Sequence, residues 1–413
     1  MQNRMENRRL RAIVYNLFEA FLHTRKKRKS PQMKKIAFLC SNLKFGGIQR
    51  VAVKLANGLS RKGLNMEFAV LRGGGEFLSR LSPEVRLRNL DCTSQPLGLL
   101  SPFSPLAAYL RKERPDVVLS FGNSTNNLAG WAKLLLRSPF RLIVSERSTF
   151  GARMADDPAF HRWRRTVRSR FLYRQADLCV CVSRGVADDL VETGVVPRDK
   201  VRVIYNPVVD ADLGELASCP ASHPWFHDSA RPVILSVGRL MQLKGLDELI
   251  KAFAIVREKH DRTVRLMILG EGYYRSRLEE LVRSLGLSED VCFAGFQENP
   301  YAYMSKASAV VLSSHYEGFP NVLAEALACG TNVVSTDCRS GPREILEDGK
   351  WGRLVPVGDY ESLAEALREA LRDPIPSDKL KEAAARFSSD RAIDAYCELL
   401  LEEAHPLVAG DFS

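Results

Sequence analysis

Short apolar runs alternate with helical runs along almost the whole chain, and this alternation constrains the fold more than any other feature. Neighbouring parallel strands need a long crossover, usually a helix, so the alternation is typical of βαβ units. We therefore predict an α/β protein built on parallel sheets. The strands are predicted at residues 36–40, 68–71, 85–90, 117–121, 142–145, 178–182, 201–204, 233–237, 266–269, 291–296, 309–312 and 331–335.

The length of the chain and a polar segment in its middle predict two domains. A chain of 413 residues is too long for one ordinary hydrophobic core. The stretch 210–232 is polar and contains proline, as interdomain connections commonly do. We expect a basic extension over residues 1–32, a first Rossmann-like domain over residues 33–209, and a second domain over residues 210–387.

Charge and cysteine usage narrow the partners and the compartment. Sixty Lys and Arg residues against 49 Asp and Glu residues give a net charge of +11, which suits phosphorylated ligands, anionic membranes or nucleic acid. No recognised nucleic-acid-binding module accompanies the charge, so we expect no nucleic-acid partner. The nine cysteines include no C-x-x-C pair, which indicates reduced thiols in a cytoplasmic protein and no zinc site. Cys179 and Cys181 are expected on one face of a buried strand.

The segment from Glu317 to Glu325, EGFPNVLAE, lies between a predicted strand and a helical run. Pro320 suits the first helical position, which puts Glu317 on the loop and Glu325 on the second helical turn. A helix N-terminus at the carboxyl end of a strand attracts anions, so a diphosphate fits here with two carboxylates for sugar hydroxyls. The alternative is a surface-loop glutamate followed by a glutamate on an amphipathic helix.

Two other strand-to-helix loops have features that suit phosphate. Arg239 and Lys244 lie on one loop, where an arginine fork and a lysine point charge match a diphosphate. Gly46 and Gly47 let the backbone of another loop approach a phosphate or sugar closely. The alternatives are solvated loop cations and an ordinary glycine turn.

These segments resemble the motifs of retaining glycosyltransferases of family 4, and the resemblance covers residues 34–404. It implies the GT-B fold, in which two Rossmann-like domains face each other across a cleft and a final segment, residues 388–404, crosses back to the first domain. It also implies that Glu317 contacts the donor sugar, that Glu325 contacts the ribose, and that Arg239 and Lys244 bind the diphosphate. By the same resemblance, the remaining donor-binding residues are Gly46, Gly47, Gly238, Gly270, Phe293, Gly295, Gly318, Phe319, Pro320 and Asn321.

The chain departs from the family pattern at two places. Gln49 precedes Arg50 where the family often has an acid, and Glu146 with Arg147 follows a strand where the family frequently has a histidine. We expect Glu146 and Arg147 on the acceptor side of the cleft. Asp210 and Asp212 form a D-x-D pattern, but the pair lies in the predicted linker, so we expect no metal site and no cofactor.

The resemblance implies a hexosyltransferase-type enzyme, a retaining glycosyltransferase that moves a sugar from a nucleoside-diphosphate sugar to an acceptor. We expect a UDP-sugar donor and a lipid-linked or cell-surface polysaccharide acceptor. Two alternatives stay open: a nucleotide-sugar epimerase on the same fold, and a non-catalytic protein that binds a sugar nucleotide or a lipid.

Two basic, amphipathic stretches predict contact with an anionic membrane surface. Apolar residues between Leu10 and Leu22 form a helical stripe flanked by basic residues, and residues 153–174 interleave arginines with aromatic residues. No run approaches the roughly 18 apolar residues of a membrane span, so we expect a peripheral protein on the inner face of the cytoplasmic membrane. The alternatives are a helix packed on the protein itself, a start at Met33, and an ordinary solvated face.

Overall fold

The computed structural model describes residues 34–44, 46–92, 103–137, 139–151, 158–227 and 231–402. The extension 1–32, with the stripe between Leu10 and Leu22, lies outside the described residues. The prediction made for that stripe therefore stays a prediction.

The first domain is a sheet of parallel strands with the order β3-β2-β1-β4-β5-β6-β7. Its strands are β1 Lys35–Cys40, β2 Asn65–Val70, β3 Arg86–Asn89, β4 Val117–Phe121, β5 Arg141–Glu146, β6 Leu178–Cys181 and β7 Val201–Val203. Its helices are α1 Gly47–Arg61, α2 Phe103–Glu113, α3 Asn123–Leu136, α4 Ala159–Tyr173 and α5 Arg184–Glu192.

The second domain repeats the design, with the strand order β10-β9-β8-β11-β12-β13 in parallel. Its strands are β8 Val233–Val237, β9 Arg265–Leu269, β10 Val291–Gly295, β11 Ala309–Leu312, β12 Val333–Thr336 and β13 Arg353–Val355. The helices, with α6 in the connection, are α6 Leu213–Ser218, α7 Leu246–Lys259, α8 Arg275–Ser284, α9 Tyr301–Met304, α10 Asn321–Ala328, α11 Pro342–Ile345, α12 Tyr360–Arg372, α13 Ser377–Ala384 and α14 Ser389–Leu401.

Both sheets are doubly wound, which confirms the expected pair of Rossmann-like domains. Their central strands are buried throughout, as β4 and β11 show, because helices cover both faces of a parallel sheet. Chain order reverses between β1 and β4 in the first sheet and between β8 and β11 in the second. Ligands of such folds bind at the carboxyl ends of the strands at this reversal.

The last helix, α14, returns to the first domain. Ile393 and Tyr396 belong to the same buried cluster as the first strands. A Cβ at Gly58 of α1 would lie 2.3 Å from Ile393 Cδ1, so glycine is needed for this close approach. Arg141 Nη1 also donates to the carbonyl of Leu399 at 2.7 Å. Helix α14 therefore packs against the first domain.

The structure corrects three details of the sequence prediction. Strand β13 was not predicted, because three residues are too short for a periodicity to show. The predicted strand 331–335 begins at Val333. Pro320 is not the first helical residue: α10 begins at Asn321, and Pro320 precedes it, with its carbonyl accepting a hydrogen bond from the Leu323 amide at 3.0 Å.

The predicted placement of Cys179 and Cys181 on one strand is confirmed. All nine cysteines lie in the described residues and are free. Cys179 and Cys181 lie on one face of buried strand β6, with their sulfur atoms 4.0 Å apart.

Candidate active site

A cavity of about 690 Å³ lies between the two domains at the carboxyl ends of their strands. The first domain lines it with Gly46, Gly47 and one face of α1. The second domain lines it with Gly238, Arg239, Gly270, Asn321 and Glu325. Six of the residues predicted from sequence therefore meet at this cavity with Arg239, although they come from distant parts of the chain.

Lys244 and Glu317 form an ion pair. The Lys244 Nζ lies 2.6 Å from Glu317 Oε1, and the Ser314 hydroxyl donates to the same oxygen at 2.8 Å. Lys244 ends a short 3₁₀ turn after β8, and Glu317 lies on the loop after β11. Because β8 and β11 are neighbours, the fold brings together two side chains that are distant in sequence.

Arg239 is an exposed cation on the same loop as Lys244. It lines the cavity directly after β8. Among the residues that the structure describes, none forms a hydrogen bond or an ion pair with its guanidinium. An arginine fork without a protein partner in a cleft is ready to bind an anion such as a diphosphate.

Glu325 is only 5% exposed and is contacted from both domains. Arg50 Nη2, on α1 of the first domain, lies 3.0 Å from Glu325 Oε1. The Tyr301 hydroxyl donates to the same oxygen at 3.3 Å, and Arg50 also contacts that hydroxyl. The negative charge of Glu325 raises the pKa of Arg50, while burial and then the same charge raise the pKa of Tyr301. Both groups therefore stay protonated around the carboxylate.

The glycines of the site permit close backbone contacts. A Cβ at Gly270, whose φ is +133°, would lie 1.9 Å from the carbonyl oxygen of Gly238. A Cβ at Gly318 would lie 2.1 Å from the carbonyl oxygen of Arg147 in the first domain. The loop between Glu317 and Pro320 therefore packs backbone to backbone against the opposite domain.

Phe319 points away from the cavity. Its ring lies 5.6 Å from that of Tyr205 and 5.4 Å from that of Phe387, centroid to centroid. The side chain anchors the loop between the domains, so a donor could meet only the backbone at this position. Pro320 is also buried, and a Cβ at Gly341 would lie 2.4 Å from its Cδ.

Three of the predicted donor-binding residues, Gly270, Phe293 and Gly295, lie at or near the ends of β9 and β10. Phe293 is partly buried, and the Arg275 guanidinium lies 5.8 Å from the centre of its ring. Gly295 adopts a positive φ of 71° at the end of β10. The next residue, Phe296, is exposed and lines the cavity. The structure therefore adds one aromatic ring to the cavity lining that was not predicted from the sequence.

Two protein-family models match the chain. A family model described as Glycosyltransferase Family 4 matches residues 45–212, and one described as Glycosyl transferases group 1 matches residues 222–387. The N-acetylgalactosamine-N,N'-diacetylbacillosaminyl-diphospho-undecaprenol 4-alpha-N-acetylgalactosaminyltransferase of Campylobacter jejuni is 32% identical over 369 residues, covering 87% of this chain and 95% of that protein. The chain belongs to glycosyltransferase family 4.

Other relatives agree with this assignment. The lipopolysaccharide core biosynthesis glycosyltransferase LpsE of Rhizobium meliloti is 29% identical over 368 residues, which cover 86% of this chain and 96% of that protein. Among solved structures, HepE of Anabaena in complex with UDP and glucose superposes with a TM-score of 0.73 at 21% identity, covering 89% of this chain and 99% of that chain. These likenesses confirm the GT-B fold of this family 4 glycosyltransferase.

The two residues predicted on the acceptor side do not line the cavity. Glu146 is 1% exposed and accepts a hydrogen bond from the Tyr173 hydroxyl at 2.7 Å. The Arg147 guanidinium donates to the side chain of Asn206, and burial lowers the pKa of Arg147. Asn206 Nδ2 in turn donates to Asn321 Oδ1 at 2.7 Å. Arg147 therefore connects to the start of α10 through Asn206, and its predicted contact with an acceptor stays a prediction.

Sequence reasoning missed Arg50 as a partner of Glu325. Arg50 follows Gly47 by three residues on α1, and Lys54 follows one turn later, so the three share the helix face that lines the cavity. Lys54 forms an ion pair with Asp210 across the connection. The helical spacing of these cations was a usable signal, but the partners lie on other elements and could not be read from it.

Neither a metal site nor a membrane span is found in the part of the family 4 enzyme that the structure describes. No three His, Cys, Asp or Glu side chains of that part are grouped to hold a metal ion. Asp210 instead contacts Lys54 and the hydroxyl of Ser389. No helix there is long and apolar enough to cross a bilayer.

Proposed function

We propose that this family 4 enzyme transfers a sugar from a UDP-sugar to a lipid-linked saccharide acceptor, with retention of the anomeric configuration, on the cytoplasmic side of a membrane. One observation carries the proposal. The Arg239 guanidinium, without a protein partner, lies in the interdomain cleft with Asn321, the first residue of α10, and Lys244 lies on the same loop as Arg239. Two cations and a helix N-terminus suit a diphosphate.

Arg239 and Lys244 would act on the leaving group. As the bond between the anomeric carbon and the diphosphate oxygen breaks, negative charge grows on the departing nucleoside diphosphate. Arg239 and Lys244 would stabilise this charge in the transition state, where such stabilisation accelerates the reaction most. The anomeric carbon forms its new bond to an acceptor hydroxyl oxygen, and the hydroxyl proton leaves with the diphosphate.

The two carboxylates would position the donor. Glu317 is fixed by Lys244 and Ser314, so one of its oxygens has a defined place from which to accept a hydrogen bond from the sugar. Glu325, which lies on α10, would accept hydrogen bonds from the ribose hydroxyls. Binding energy from the ribose would orient the distant anomeric carbon, as contacts far from the reacting atoms commonly do.

Named relatives support the choice of donor and acceptor. HepE was solved with UDP and glucose and also with UDP-glucose. The Campylobacter jejuni relative is named as acting on a diphospho-undecaprenol-linked saccharide. Retention rests on the resemblance to the retaining enzymes of family 4.

A donor screen tests the proposal. The purified enzyme is incubated with a panel of nucleoside-diphosphate sugars, with and without undecaprenyl-diphosphate-linked saccharides, and release of nucleoside diphosphate is measured. We expect release that depends on the acceptor, together with an acceptor heavier by one glycosyl unit. Conversion of the donor to an isomeric nucleotide sugar without acceptor would instead indicate an epimerase, and binding without turnover would indicate a non-catalytic protein.

A further inference from the structure

Helices α3 and α4 expose large apolar side chains on the outside of the first domain. Phe160 is 62% exposed and Trp163 is 61% exposed. We call the whole set the aromatic surface, and its members are Trp131, Leu135, Phe160, Trp163, Val167 and Phe171. An exposed stripe of this kind marks an interaction site more often than scattered single residues do.

The aromatic surface is continuous across the two helices. On α4 the residues follow each other at three- and four-residue spacing, so they lie on one face of the helix. The rings of Trp131 and Phe171 lie 6.1 Å apart, and those of Phe160 and Trp163 lie 6.2 Å apart and stack. A Cβ at Gly130 would lie 2.7 Å from the carbonyl oxygen of Leu172, so the helices pack closely. The surface is therefore one patch that spans both helices.

Positive charge surrounds the aromatic surface. Helix α4 carries five arginines, and neither α3 nor α4 contains an Asp or a Glu. The Arg164 guanidinium lies 5.6 Å from the centre of the Phe160 ring, beside the stripe. Within the described part of the chain, no carboxylate forms an ion pair with Arg162, Arg164 or Arg168. These guanidinium groups can therefore bind an external anion.

We propose that the aromatic surface docks this protein on an anionic lipid bilayer, with Phe160 and Trp163 at the level of the lipid headgroups. Aromatic side chains favour the interface between headgroups and acyl chains, and arginines beside them attract anionic headgroups. A second copy of the chain fits less well. A two-fold interface places the same patch on both sides, so arginines would face arginines without any carboxylate from these helices.

The place of the aromatic surface in the fold adds a functional reason. Helix α4 follows β5, so its first two turns, with Phe160 and Trp163, lie towards the side of the sheet where the strands end. The interdomain cavity lies on that side too. Docking there would hold the cleft near the bilayer, where a membrane-anchored molecule could reach it. The docking itself depends on neither the donor nor the acceptor.

Vesicle binding by the full chain tests the docking proposal. Co-sedimentation is measured with vesicles of phosphatidylcholine alone and of phosphatidylcholine with phosphatidylglycerol. Phe160→Ser combined with Trp163→Ser should lower binding to the anionic vesicles by about tenfold or more, because the inserted rings are lost. Arg164→Gln combined with Arg168→Gln should lower it by roughly 10- to 30-fold at low ionic strength, since each basic residue contributes about fivefold.

Matched controls change the same chemistry on the second domain. Leu285→Ser with Val357→Ser removes two exposed apolar side chains, and Arg277→Gln with Arg283→Gln removes two exposed arginines. Both control pairs should bind the anionic vesicles like the wild type. Aromatic and arginine variants that bind like the controls would overturn the proposal, as would equal binding of the wild type to both kinds of vesicle.

A second readout reports insertion at the aromatic surface itself. Brominated lipids quench tryptophan emission only where the ring enters the bilayer. The quenching lost in Trp163→Phe, relative to the wild type, isolates the contribution of Trp163 whatever else in the chain binds lipid. Anionic brominated vesicles should quench Trp163. Absence of quenching with vesicles that sediment the protein would overturn the proposal, and so would loss of a dimer in light scattering by the aromatic variant without any change in vesicle binding.

Discussion

The Glu325 carboxylate lies 3.0 Å from Arg50 Nη2, and the same carboxylate is the predicted acceptor for the ribose hydroxyls. A carboxylate that is almost fully buried is costly without a partner, so the protein supplies one from the opposite domain. Arg50 and Tyr301 therefore hold the Glu325 carboxylate in place without a bound ligand.

Glu325→Ala should weaken nucleotide binding. Loss of a hydrogen bond to a charged acceptor costs roughly 1 to 3 kcal/mol, which is about 5- to 150-fold in the dissociation constant for UDP. Calorimetry on folded protein measures this. Glu298→Ala is the matched control, because Glu298 also lines the cavity but is highly exposed and pairs with Arg80 at the rim. Equal UDP affinity in wild type and Glu325→Ala would remove the ribose role.

Arg239→Ala and Lys244→Ala should each slow the transfer step. Each variant withdraws a cation from the departing diphosphate, and loss of one such electrostatic contact commonly costs on the order of 100-fold in kcat. Single-turnover kinetics at saturating donor measures the effect, with Arg283→Ala as a control for loss of an exposed arginine. A folded double variant that keeps wild-type turnover would show that the diphosphate lies elsewhere.

At the scale of the elements, the loop between β11 and α10 is held by contacts with the first domain. The Ser183 hydroxyl donates to the carbonyl oxygen of Gly318 at 2.7 Å, and Asn206 donates to Asn321. Ser183 begins the turn into α5 and also accepts from the Val186 amide. The helix that carries Glu325 is thus positioned by both domains.

Gly318→Ala should impair transfer far more than it impairs folding. The added Cβ would meet the Arg147 carbonyl at 2.1 Å, so the loop must shift away from the first domain. A shift of about 1 Å near a reacting centre can cost on the order of 100-fold in rate. Gly214→Ala is the matched control, since a Cβ there meets nothing within 4 Å. Steady-state kinetics and thermal unfolding together measure both effects, and wild-type kcat in Gly318→Ala would show that transfer does not need the close contact between this loop and the first domain.

Local patterns predicted most elements, whereas most contacts between elements could not be predicted. Strands such as β4 and β11 are continuous apolar runs because helices cover both of their faces. The Lys244–Glu317 pair was partly foreseeable, since both residues follow strands that end at one edge. The Arg50–Glu325 pair depends on how closely the two domains approach. The helical spacing of Arg50 gives no information about which residue of the other domain it contacts. Phe319 shows the same limit: its motif was recognised, but its ring serves the domain interface.

At the scale of the whole molecule, polar contacts outside the cavity lining also join the two domains. The Tyr205 hydroxyl donates to Glu344 Oε1 at 2.7 Å, and the Arg184 amide donates to Glu344 Oε2 at 2.9 Å. Burial and the Glu344 carboxylate raise the pKa of Tyr205 to about 12, so the hydroxyl remains a donor at neutral pH. These contacts set the separation of the donor residues from the first domain.

Transfer should survive removal of divalent cations. The described residues contain no cluster of metal ligands, and in our proposal Arg239 and Lys244 neutralise the diphosphate in place of a metal. We expect activity in EDTA to match that in buffer with magnesium, measured by nucleoside-diphosphate release. Complete loss in EDTA, restored by magnesium or manganese, would show that a metal carries this charge.

We propose that the cleft around Arg239, Lys244 and Glu317 transfers a sugar with retention of the anomeric configuration. Real-time NMR of the donor and product anomeric protons tests it most directly, with an α-linked UDP-sugar and a diphosphate-lipid-linked saccharide acceptor. We expect an α-linked product that forms as UDP is released, and a loss of both signals together in Arg239→Ala/Lys244→Ala. A β-linked product, or unchanged transfer by that folded double variant, would contradict it.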